Sequence, residues 1–277
     1  MYFSGKAAQN IMENKNAIHA KKSLGQNFLK SKTALSAMIK AGEITAKDIV
    51  LEIGPGQGAL TEKLLETGAK VLAIEKDDRL IEFLNEKFAK QIEMGQFHLI
   101  HGDALELDLA WNNLKTGEYK LIANIPYYIT GLIFRKFLSG HIQPSKLVIM
   151  VQKEIADRIV ARDGKESLLS LSVKAYGTAK KIMKVDKENF SPKPKVDSAI
   201  LLIDNISKDF FKEISEEKFF DVIKTGFAHK RKVLITNLKE KFGQNDLHKI
   251  FRDLKIPEKA RSEDLKLEDW KNLIQCI

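Results

Sequence analysis

Short apolar runs alternate with helical patterns over the first two thirds of the chain, and this alternation limits the fold more than any other feature. The apolar runs predict strands at about 49–53, 70–75, 97–101 and 146–152, with a further strand that ends at Ala123. The amphipathic segments predict helices at about 59–66, 77–91 and 130–138. Strands separated by helices pair in parallel through right-handed crossovers. The sequence therefore predicts an α/β fold with a doubly wound, mostly parallel sheet.

The pattern changes after about residue 178. The segments AKKIMKVD and SAILLID predict two more strands, and the prolines of the intervening KENFSPKPKVD favour an extended loop. From about residue 215 only helical patterns remain, and Pro257 interrupts the last pair. We expect an antiparallel hairpin that closes the sheet, followed by a small all-α C-terminal domain. The predicted division is a basic N-terminal segment at 1–30, an α/β domain at 31–206 and a helical domain at 207–277.

Composition limits the class of protein. The chain has 277 residues, 44% hydrophobic and 30% charged, which suffices for one large globular domain with a smaller companion. No run of about 18 apolar residues occurs, and the first residues lack the apolar core of a signal peptide. Cys276 is the only cysteine, which excludes an internal disulfide and a cysteine-based metal cluster. We expect a soluble, cytoplasmic protein without a metal site.

The formal net charge of +9 suggests a polyanionic partner, although a merely solvated lysine-rich surface is an equally good explanation of charge alone. The distribution of the charge favours a partner. Residues 15–32 contain five lysines and no acidic residue, and His229, Lys230, Arg231 and Lys232 form a second basic cluster far along the chain. Two separate basic clusters predict a surface that follows a nucleic-acid backbone.

A glycine loop, LEIGPGQGALTEKL, lies between the first predicted strand and its helix. Gly54, Gly56 and Gly58 allow a tight turn and a close approach of the backbone to a ligand. Glu75 ends the next strand, where an acidic side chain can accept hydrogen bonds from ribose hydroxyls. A nicotinamide-binding protein uses similar parts, but the spacing here is G-x-G-x-G and Glu52 precedes it. A purely structural glycine turn remains the alternative.

The third strand adds a carboxylate at the same edge of the predicted sheet. Asp103 follows this strand and can accept a hydrogen bond from an adenine amino group. Together the glycine turn, Glu75 and Asp103 predict an adenosine-containing cofactor. Taken alone, each acid could equally cap the helix that follows it.

The fourth strand ends in ANIPYYIT, an unusual turn. Pro126 has a fixed φ and restricts Ile125, so the corner is rigid and directs the Asn124 side chain and nearby carbonyls in one direction. A side-chain oxygen and a backbone oxygen suit an NH2 group. Tyr127 offers a face on which a planar base can stack. Tyr128 gains no role from this motif, and we expect it to be buried by packing.

Several segments, in their order along the chain, resemble one family. Asn124-Ile125-Pro126-Tyr127 resembles the signature of S-adenosylmethionine-dependent enzymes that methylate exocyclic amino groups. KKSLGQNFL, EIGPGQGALT, GDAL, FSPKPKVDSA and HKRKVLITNL are similar to segments of the ribosomal RNA adenine N6,N6-dimethyltransferases. The resemblance covers roughly residues 20–270. It implies a Rossmann-like class I methyltransferase fold in the α/β domain and S-adenosylmethionine as the cofactor.

The resemblance also implies roles for individual residues. The cofactor-binding residues would be Gln26, Asn27, Leu29, Gly54, Gly56, Glu75, Asp103 and Asn124. Asn124 and the carbonyl of Pro126 would hold the target amino group, and Tyr127 and Phe190 would stack on the target base. Without the resemblance, Phe190 could equally be a core aromatic under the hairpin. RNA phosphates would be bound by Lys21, Lys22, Lys230, Arg231 and Lys232, with segment 1–30 closing over cofactor and RNA.

Within the family the predicted substrate is 16S rRNA. The start AKKSLGQNFL and the tail ARSEDLKLEDW resemble the enzymes that dimethylate two adjacent adenosines in a hairpin loop near its 3′ end, in the 30S precursor. Three alternatives remain at this point: a 23S rRNA adenine methyltransferase of the antibiotic-resistance type, a non-catalytic RNA-binding assembly factor and a DNA adenine methyltransferase. With one predicted active site, we expect a monomer.

Overall fold

The computed structural model describes residues 19–110, 112–243 and 247–277. Its strands are β1 (Phe28–Leu29), β2 (Ile49–Ile53), β3 (Lys70–Glu75), β4 (Phe97–His101), β5 (Tyr119–Asn124), β6 (Lys146–Gln152), β7 (Thr178–Val185), β8 (Phe190–Ser191) and β9 (Ser198–Asp204). Seven of them form one sheet in the order β4-β3-β2-β5-β6-β9-β7. The first five strands in this order are parallel, and β9 and β7 are antiparallel to their neighbours. The predicted mostly parallel sheet with a closing hairpin is confirmed.

The order of the strands locates the ligand crevice. From β2 the chain adds β3 and β4 on one side, then returns to add β5 and β6 on the other side. The direction of winding therefore changes between β2 and β5. Crevices outside the carboxyl ends of strands at such a switch point are the usual ligand sites of doubly wound sheets.

The sheet is buried on both faces because alternate residues of its central strands point to opposite sides. Leu51 of β2 and Leu121 of β5 belong to one core layer, whereas their neighbours Val50 and Ile122 belong to the other. All four side chains are buried. Burial on both faces explains why these strands read as continuous apolar runs in the sequence.

Helices cover the two faces and form the C-terminal region. They are α1 (Lys32–Gly42), α2 (Ala59–Glu66), α3 (Asp78–Lys87), α4 (Ala89–Glu93), α5 (Thr130–Ser139), α6 (Lys153–Ile159), α7 (Leu168–Lys174), α8 (Glu216–Gly226), α9 (Leu234–Phe242), α10 (Leu247–Asp253) and α11 (Leu267–Cys276). Side chains cap several N-termini in the usual way: Ser31, Asp77 and Ser215 each accept a hydrogen bond from a backbone N–H of the first turn.

Two sequence predictions need correction. The single helix predicted at 77–91 is two helices, α3 and α4, separated by Phe88. Phe88 leaves helical geometry with φ −111° and is buried against Phe97, with their ring centroids 5.2 Å apart. The loop between the hairpin strands also contains β8, which pairs antiparallel with β1. Two-residue strands are too short for a periodic pattern, so the sequence did not reveal this pairing.

The C-terminal helices have a separate core. Its centre contains Phe219, Leu238, Phe251 and Trp270, all fully buried. Leu171 of α7 belongs to the same cluster, whereas Val173 of the same helix belongs to the core of the sheet. Helix α7 therefore connects the two cores.

Candidate functional site

A cleft of about 700 Å³ lies at the carboxyl ends of β2, β3, β4 and β5. Its walls combine the glycine loop after β2, the residues that end β3 and β4, the turn after β5 and the segment around β1. Of the predicted cofactor and target-site residues, the following line it: Gln26, Asn27, Leu29, Gly54, Gly56, Glu75, Asp103, Asn124, Pro126 and Tyr127. The fold thus brings residues that are far apart in sequence to one edge of the sheet.

The glycine loop needs its glycines. Gly54 and Gly56 have φ of +66° and +58°, in the left-handed region that other residues rarely adopt. A Cβ on Gly56 would also lie 3.0 Å from the Phe28 ring. The loop and the N-terminal segment are therefore in close contact, and the loop backbone faces the cleft without side chains.

Glu75 holds this loop in place. Its Oε2 accepts a hydrogen bond from the Gly56 N–H at 3.1 Å, and its Oε1 accepts from the N–H groups of Lys76 and Asp77 at 2.8 and 2.9 Å. Burial raises the pKa of Glu75, while these backbone hydrogen bonds act in the opposite direction. A carboxylate has about four acceptor positions, so the three backbone bonds leave room for a ligand hydroxyl.

Glu52 is a cleft residue to which the sequence assigned no role. It is fully buried, and its Oε2 accepts a hydrogen bond from the Thr61 hydroxyl at 2.7 Å. Burial raises the pKa of Glu52 to about 8, and the Thr61 hydrogen bond opposes this effect. Its Oε1 has no hydrogen-bond partner among the described residues. An unpaired buried oxygen costs about 1–3 kcal/mol, so this position fits a ligand that carries an ammonium or another strong donor.

Asp103 is held at the end of β4. Its Oδ1 accepts from the Leu105 N–H at 2.9 Å, and its Oδ2 accepts from the Lys76 ammonium at 2.7 Å. The hydrogen bond from Lys76 lowers the pKa of Asp103 most, and the hydrogen bond from the Leu105 N–H lowers it further. Asp103 therefore lines the cleft as a carboxylate. Lys76 is exposed enough to move when a ligand amino group approaches.

The segment around β1 closes one side of the cleft. Phe28 and Leu29 pair with Ser191 and Phe190 of β8. Just before them, Gln26 Nε2 donates to the Asp77 carboxylate at 2.8 Å. Asp77 also pairs with Arg79, and mainly for that reason its pKa falls to about 2. Backbone pairing and a charge-assisted hydrogen bond thus fix the segment over the glycine loop.

The Asn124 amide is oriented by this segment. Its Nδ2 donates to the carbonyl of Asn27 at 3.2 Å, which leaves Oδ1 as the acceptor of the amide. The Pro126 carbonyl accepts from the Ile129 N–H at 3.3 Å. Ile125 also lines the cleft, and no residue that the structure describes donates to its carbonyl. The corner therefore places the Asn124 amide and neighbouring backbone oxygens beside the cleft.

The two tyrosines of the corner differ sharply. Tyr127 is partly buried, and its hydroxyl lies 2.6 Å from Ser198 Oγ of β9, which fixes the ring. Burial raises the pKa of Tyr127, so the ring is neutral. Tyr128 is 67% exposed. The prediction that Tyr128 is buried by packing is wrong, because the turn at Tyr127–Ile129 carries its ring outward at the rim of the cleft.

Phe190, which was predicted to stack on the target base, lies buried in the core beneath the cleft. It is only 4% exposed and belongs to one core layer of the sheet. The cleft is lined instead by the residues that follow it, Ser191 and Pro192. The stacking of Phe190 on a target base stays a prediction.

The predicted RNA-binding residues lie outside the cleft. Lys230, Arg231 and Lys232 are exposed in the turn between α8 and α9, and Lys232 pairs with Glu240 at 3.3 Å. Lys21 is exposed before β1. The side chain of Lys22 and residues 1–18, which include Lys15, lie outside the described part of the chain.

Two further features are absent from the residues that the structure describes. No helix there is long and apolar enough to cross a membrane. No group of three or more histidine, cysteine or acidic side chains in the same part of the chain is arranged to hold a metal ion.

Comparison with known proteins gives one consistent family. The model of the family described as ribosomal RNA adenine dimethylase matches residues 17–277. A relative from Dehalococcoides mccartyi (strain CBDB1), named ribosomal RNA small subunit methyltransferase A, is 39% identical over 92% of this chain and 88% of its own. A relative of the same name from Clostridium botulinum (strain Kyoto / Type A2) is 38% identical over 95% of this chain and 96% of its own.

Solved structures show the same fold. A dimethyladenosine transferase from Plasmodium falciparum superposes with a TM-score of 0.72 and 28% identity, over 89% of this chain and 95% of that one. The 23S rRNA methyltransferase ErmE superposes with a TM-score of 0.74 over 90% of this chain and 99% of that one. Its 23% identity supports a shared fold alone.

Proposed function

The chain belongs to the ribosomal RNA adenine dimethylase family, and from this premise we propose the substrate and mechanism of its cleft. Membership makes the protein an S-adenosylmethionine-dependent adenine dimethyltransferase of ribosomal RNA. We propose that it converts two adjacent adenosines to N6,N6-dimethyladenosine in a hairpin loop near the 3′ end of 16S rRNA, within a precursor of the 30S subunit. The relatives named for the small subunit support this choice over 23S rRNA.

The proposed cofactor fits the cleft. S-adenosylmethionine supplies a methyl group that the positive charge on sulfur activates for transfer. The glycine loop would take its amino-acid part, and Glu52, with its unpaired buried oxygen, would accept a hydrogen bond from the ammonium. Glu75 would hold the ribose hydroxyls and Asp103 the adenine amino group. The proposed cofactor-binding residues are Gln26, Asn27, Leu29, Gly54, Gly56, Glu75, Asp103 and Asn124, and the structure leads us to add Glu52.

One observation carries the proposed chemistry: the Asn124 amide is fixed through its nitrogen, so its oxygen is available to the substrate. The N6 lone pair of adenine is delocalised into the ring and is a poor nucleophile. Hydrogen bonds from both amino protons, to Asn124 Oδ1 and to a backbone carbonyl of Ile125 or Pro126, would localise the lone pair on nitrogen. Catalysis would then rest mainly on positioning and on preorganised oxygens.

Tyr127 would hold the plane of the target base. Its hydroxyl is bound to Ser198, so the ring is already fixed when the base arrives. Stacking of a base on an aromatic ring contributes about 1–3 kcal/mol. No strong general base is needed, because the amino proton becomes acidic once the nitrogen carries a positive charge. After the first transfer one N–H remains, and the pocket must accept a methyl group for the second.

The target base must leave its stack to enter the cleft, which favours loops over regular duplex. The basic residues Lys21, Lys22, Lys230, Arg231 and Lys232 would bind the surrounding phosphates. We also propose the division into a closing segment at 1–30, a catalytic domain at 31–206 and an RNA- or ribosome-contacting domain at 207–277. The protein would act as a cytoplasmic monomer.

The substrate is tested by offering radiolabelled S-adenosylmethionine with immature 30S particles, 50S precursors or duplex DNA. We expect labelled dimethyladenosine in the 30S sample alone. Label confined to the 50S or DNA sample would overturn the proposed substrate. RNA binding without any label would instead indicate a non-catalytic assembly factor.

A further inference from the structure

Tyr128 is an aromatic ring with no evident role in the chemistry described above. It follows directly after Tyr127, but its ring is 67% exposed at the rim of the cleft. On one edge it touches the closing segment, since a Cβ on Gly25 would lie 3.2 Å from Tyr128 Cε1. This contact supports the ring from one side and leaves most of its surface open to solvent.

A second apolar side chain lies nearby at the same rim. Leu132, in the first turn of α5, is 49% exposed and also lines the cleft. Other exposed large apolar residues of the described chain, such as Met94, Ile182 and Val196, do not line it. Tyr128 and Leu132 therefore both add exposed apolar surface to the lining of the cleft that holds the proposed target site.

The charge around this rim suits a nucleic acid. Lys76, 60% exposed, lines the cleft and pairs with Asp103 at 2.7 Å. Lys30, also exposed, lines the cleft. The cleft thus combines an exposed aromatic ring with lysine ammonium groups. Proteins bind unpaired nucleotides with this combination, because the ring stacks on the base and the ammonium groups neutralise the phosphate.

We infer that Tyr128 is a stacking platform for the nucleotide next to the target adenine. The inference rests on the proposed function, in which the target sits in a loop beside a second unpaired adenosine. When the target base leaves the stack, its neighbour loses a stacking partner, and the Tyr128 ring replaces that partner at the rim. Tyr127 and Tyr128 thus hold two consecutive bases, one inside the cleft and one at its edge.

The test is a double-mutant cycle that combines replacement of Tyr128 with removal of the neighbouring base. Binding affinity is measured by fluorescence anisotropy in the absence of turnover. The RNA is a hairpin with the loop sequence of the 3′ end of 16S rRNA, and the nucleotide on either side of the target is replaced in turn by an abasic residue. The proteins are the full-length wild type, Tyr128→Ala, Tyr128→Phe and Met94→Ala, the last a matched control because Met94 is 68% exposed away from the cleft.

On the intact hairpin we expect Tyr128→Ala to weaken binding about 5- to 150-fold, whereas Tyr128→Phe and Met94→Ala bind like the wild type. With the abasic residue on the stacked side, wild type and Tyr128→Ala should bind equally. Two results would overturn the inference. In the first, Tyr128→Ala binds the intact hairpin as tightly as the wild type does, which would point to a protein partner at the rim. In the second, Tyr128→Ala loses the same affinity on the intact hairpin and on both abasic hairpins. If the wild type binds no hairpin at all, the proposed substrate itself fails.

Discussion

At the residue scale, the proposed chemistry depends on the orientation of one amide. Asn124 donates through Nδ2 to the Asn27 carbonyl, so the closing segment determines which atom of the amide faces the cleft. A reversed amide would present a donor to an amino group that needs acceptors. In the proposed mechanism, this one hydrogen bond therefore connects the position of the N-terminal segment with the reactivity of the site.

Asn124→Ala should abolish methyl transfer and leave RNA binding near normal. Loss of one preorganised polar group in an active site costs about 100- to 1000-fold in turnover, and Asn124 contributes little to phosphate binding. The measurement is single-turnover methylation of 30S particles beside filter binding. Asn85→Ala, on the exposed side of α3, is the control. A methylation rate of Asn124→Ala close to that of the wild type would refute the assigned role.

The titration of Glu52 should make the free energy of unfolding depend on pH. Its pKa, about 8 mainly through burial, lies above the ordinary value of 4.5. Between these values the folded protein binds more protons than the unfolded chain, so this group makes the free energy of unfolding fall as pH rises from about 4.5 to about 8. Glu52→Gln removes the titration. Its stability relative to wild type should therefore increase across this window, by up to a few kcal/mol.

Urea unfolding of both proteins without cofactor, at intervals from pH 5 to pH 8, measures this difference. Because Glu75 titrates in both proteins, the comparison reports the titration of Glu52 together with its repulsion of Glu75. A stability difference that stays constant over the range would show that Glu52 is ionised throughout.

Single residues also show where sequence reasoning ends. Glu75, Asp103 and Asn124 were predicted to meet because each follows or ends a parallel strand, and strand ends share one edge. The unpaired oxygen of Glu52 was not predicted, because a carboxylate within an apolar run does not reveal which of its oxygens finds a partner. The exposure of Tyr128 was missed because it lies in a turn, where periodicity gives no information.

At the scale of elements, tight contacts between helices define the C-terminal core. Gly226 ends α8 directly beneath Trp270 of α11, and its carbonyl accepts hydrogen bonds from the buried side chains of Asn237 and Ser262. Asn237 also donates to the His229 carbonyl at 3.2 Å. The basic turn after α8 is therefore attached to the core of the helical region.

Gly226→Ala should destabilise the protein by about 1–3 kcal/mol through overpacking. The new Cβ would lie 2.4 Å from Trp270 Cη2, inside any permitted contact. Gly131→Ala in α5 is the matched control, because a Cβ there meets no atom within 4 Å. It should be neutral or stabilising by up to about 1 kcal/mol. Equal unfolding midpoints for the two variants would contradict the packing described for α8 and α11.

Element boundaries follow the sequence closely where one pattern dominates. The bounds of β2, α2 and β3 agree with prediction, since an apolar run, three glycines and another apolar run follow one another. The break at Phe88 and the β1–β8 pair depend on tertiary contacts, and local patterns do not contain them.

At the scale of the whole molecule, we expect RNA binding to depend more on the distribution of the basic residues than on the net charge. Reversal of Lys230, Arg231 and Lys232 to glutamate should weaken RNA binding and reduce the slope of log K against log salt by about two to three. The control reverses three exposed lysines elsewhere, Lys47, Lys90 and Lys259. Filter binding of RNA over a series of salt concentrations compares the two triple variants. An equal loss in both triple variants would show that net charge alone drives binding.

The overall architecture was predictable because alternating strands and helices permit few topologies. The family followed from the ordered set of motifs along the chain, which no single motif establishes. The connection between the helical core and the core of the sheet through α7 was not predicted from the sequence. It became apparent only in the structure.

The central claim is that the chain dimethylates two adjacent adenosines of one small-subunit rRNA hairpin loop. The most direct test is mass spectrometry of nuclease fragments of 16S rRNA, recovered from immature 30S particles after incubation with the protein and S-adenosylmethionine. We predict a single modified fragment near the 3′ end, in which both neighbouring adenosines carry two methyl groups, and none after incubation with Asn124→Ala. Methylation of one adenosine only, or of a fragment outside that loop, would contradict the proposed dimethylation of two adjacent adenosines.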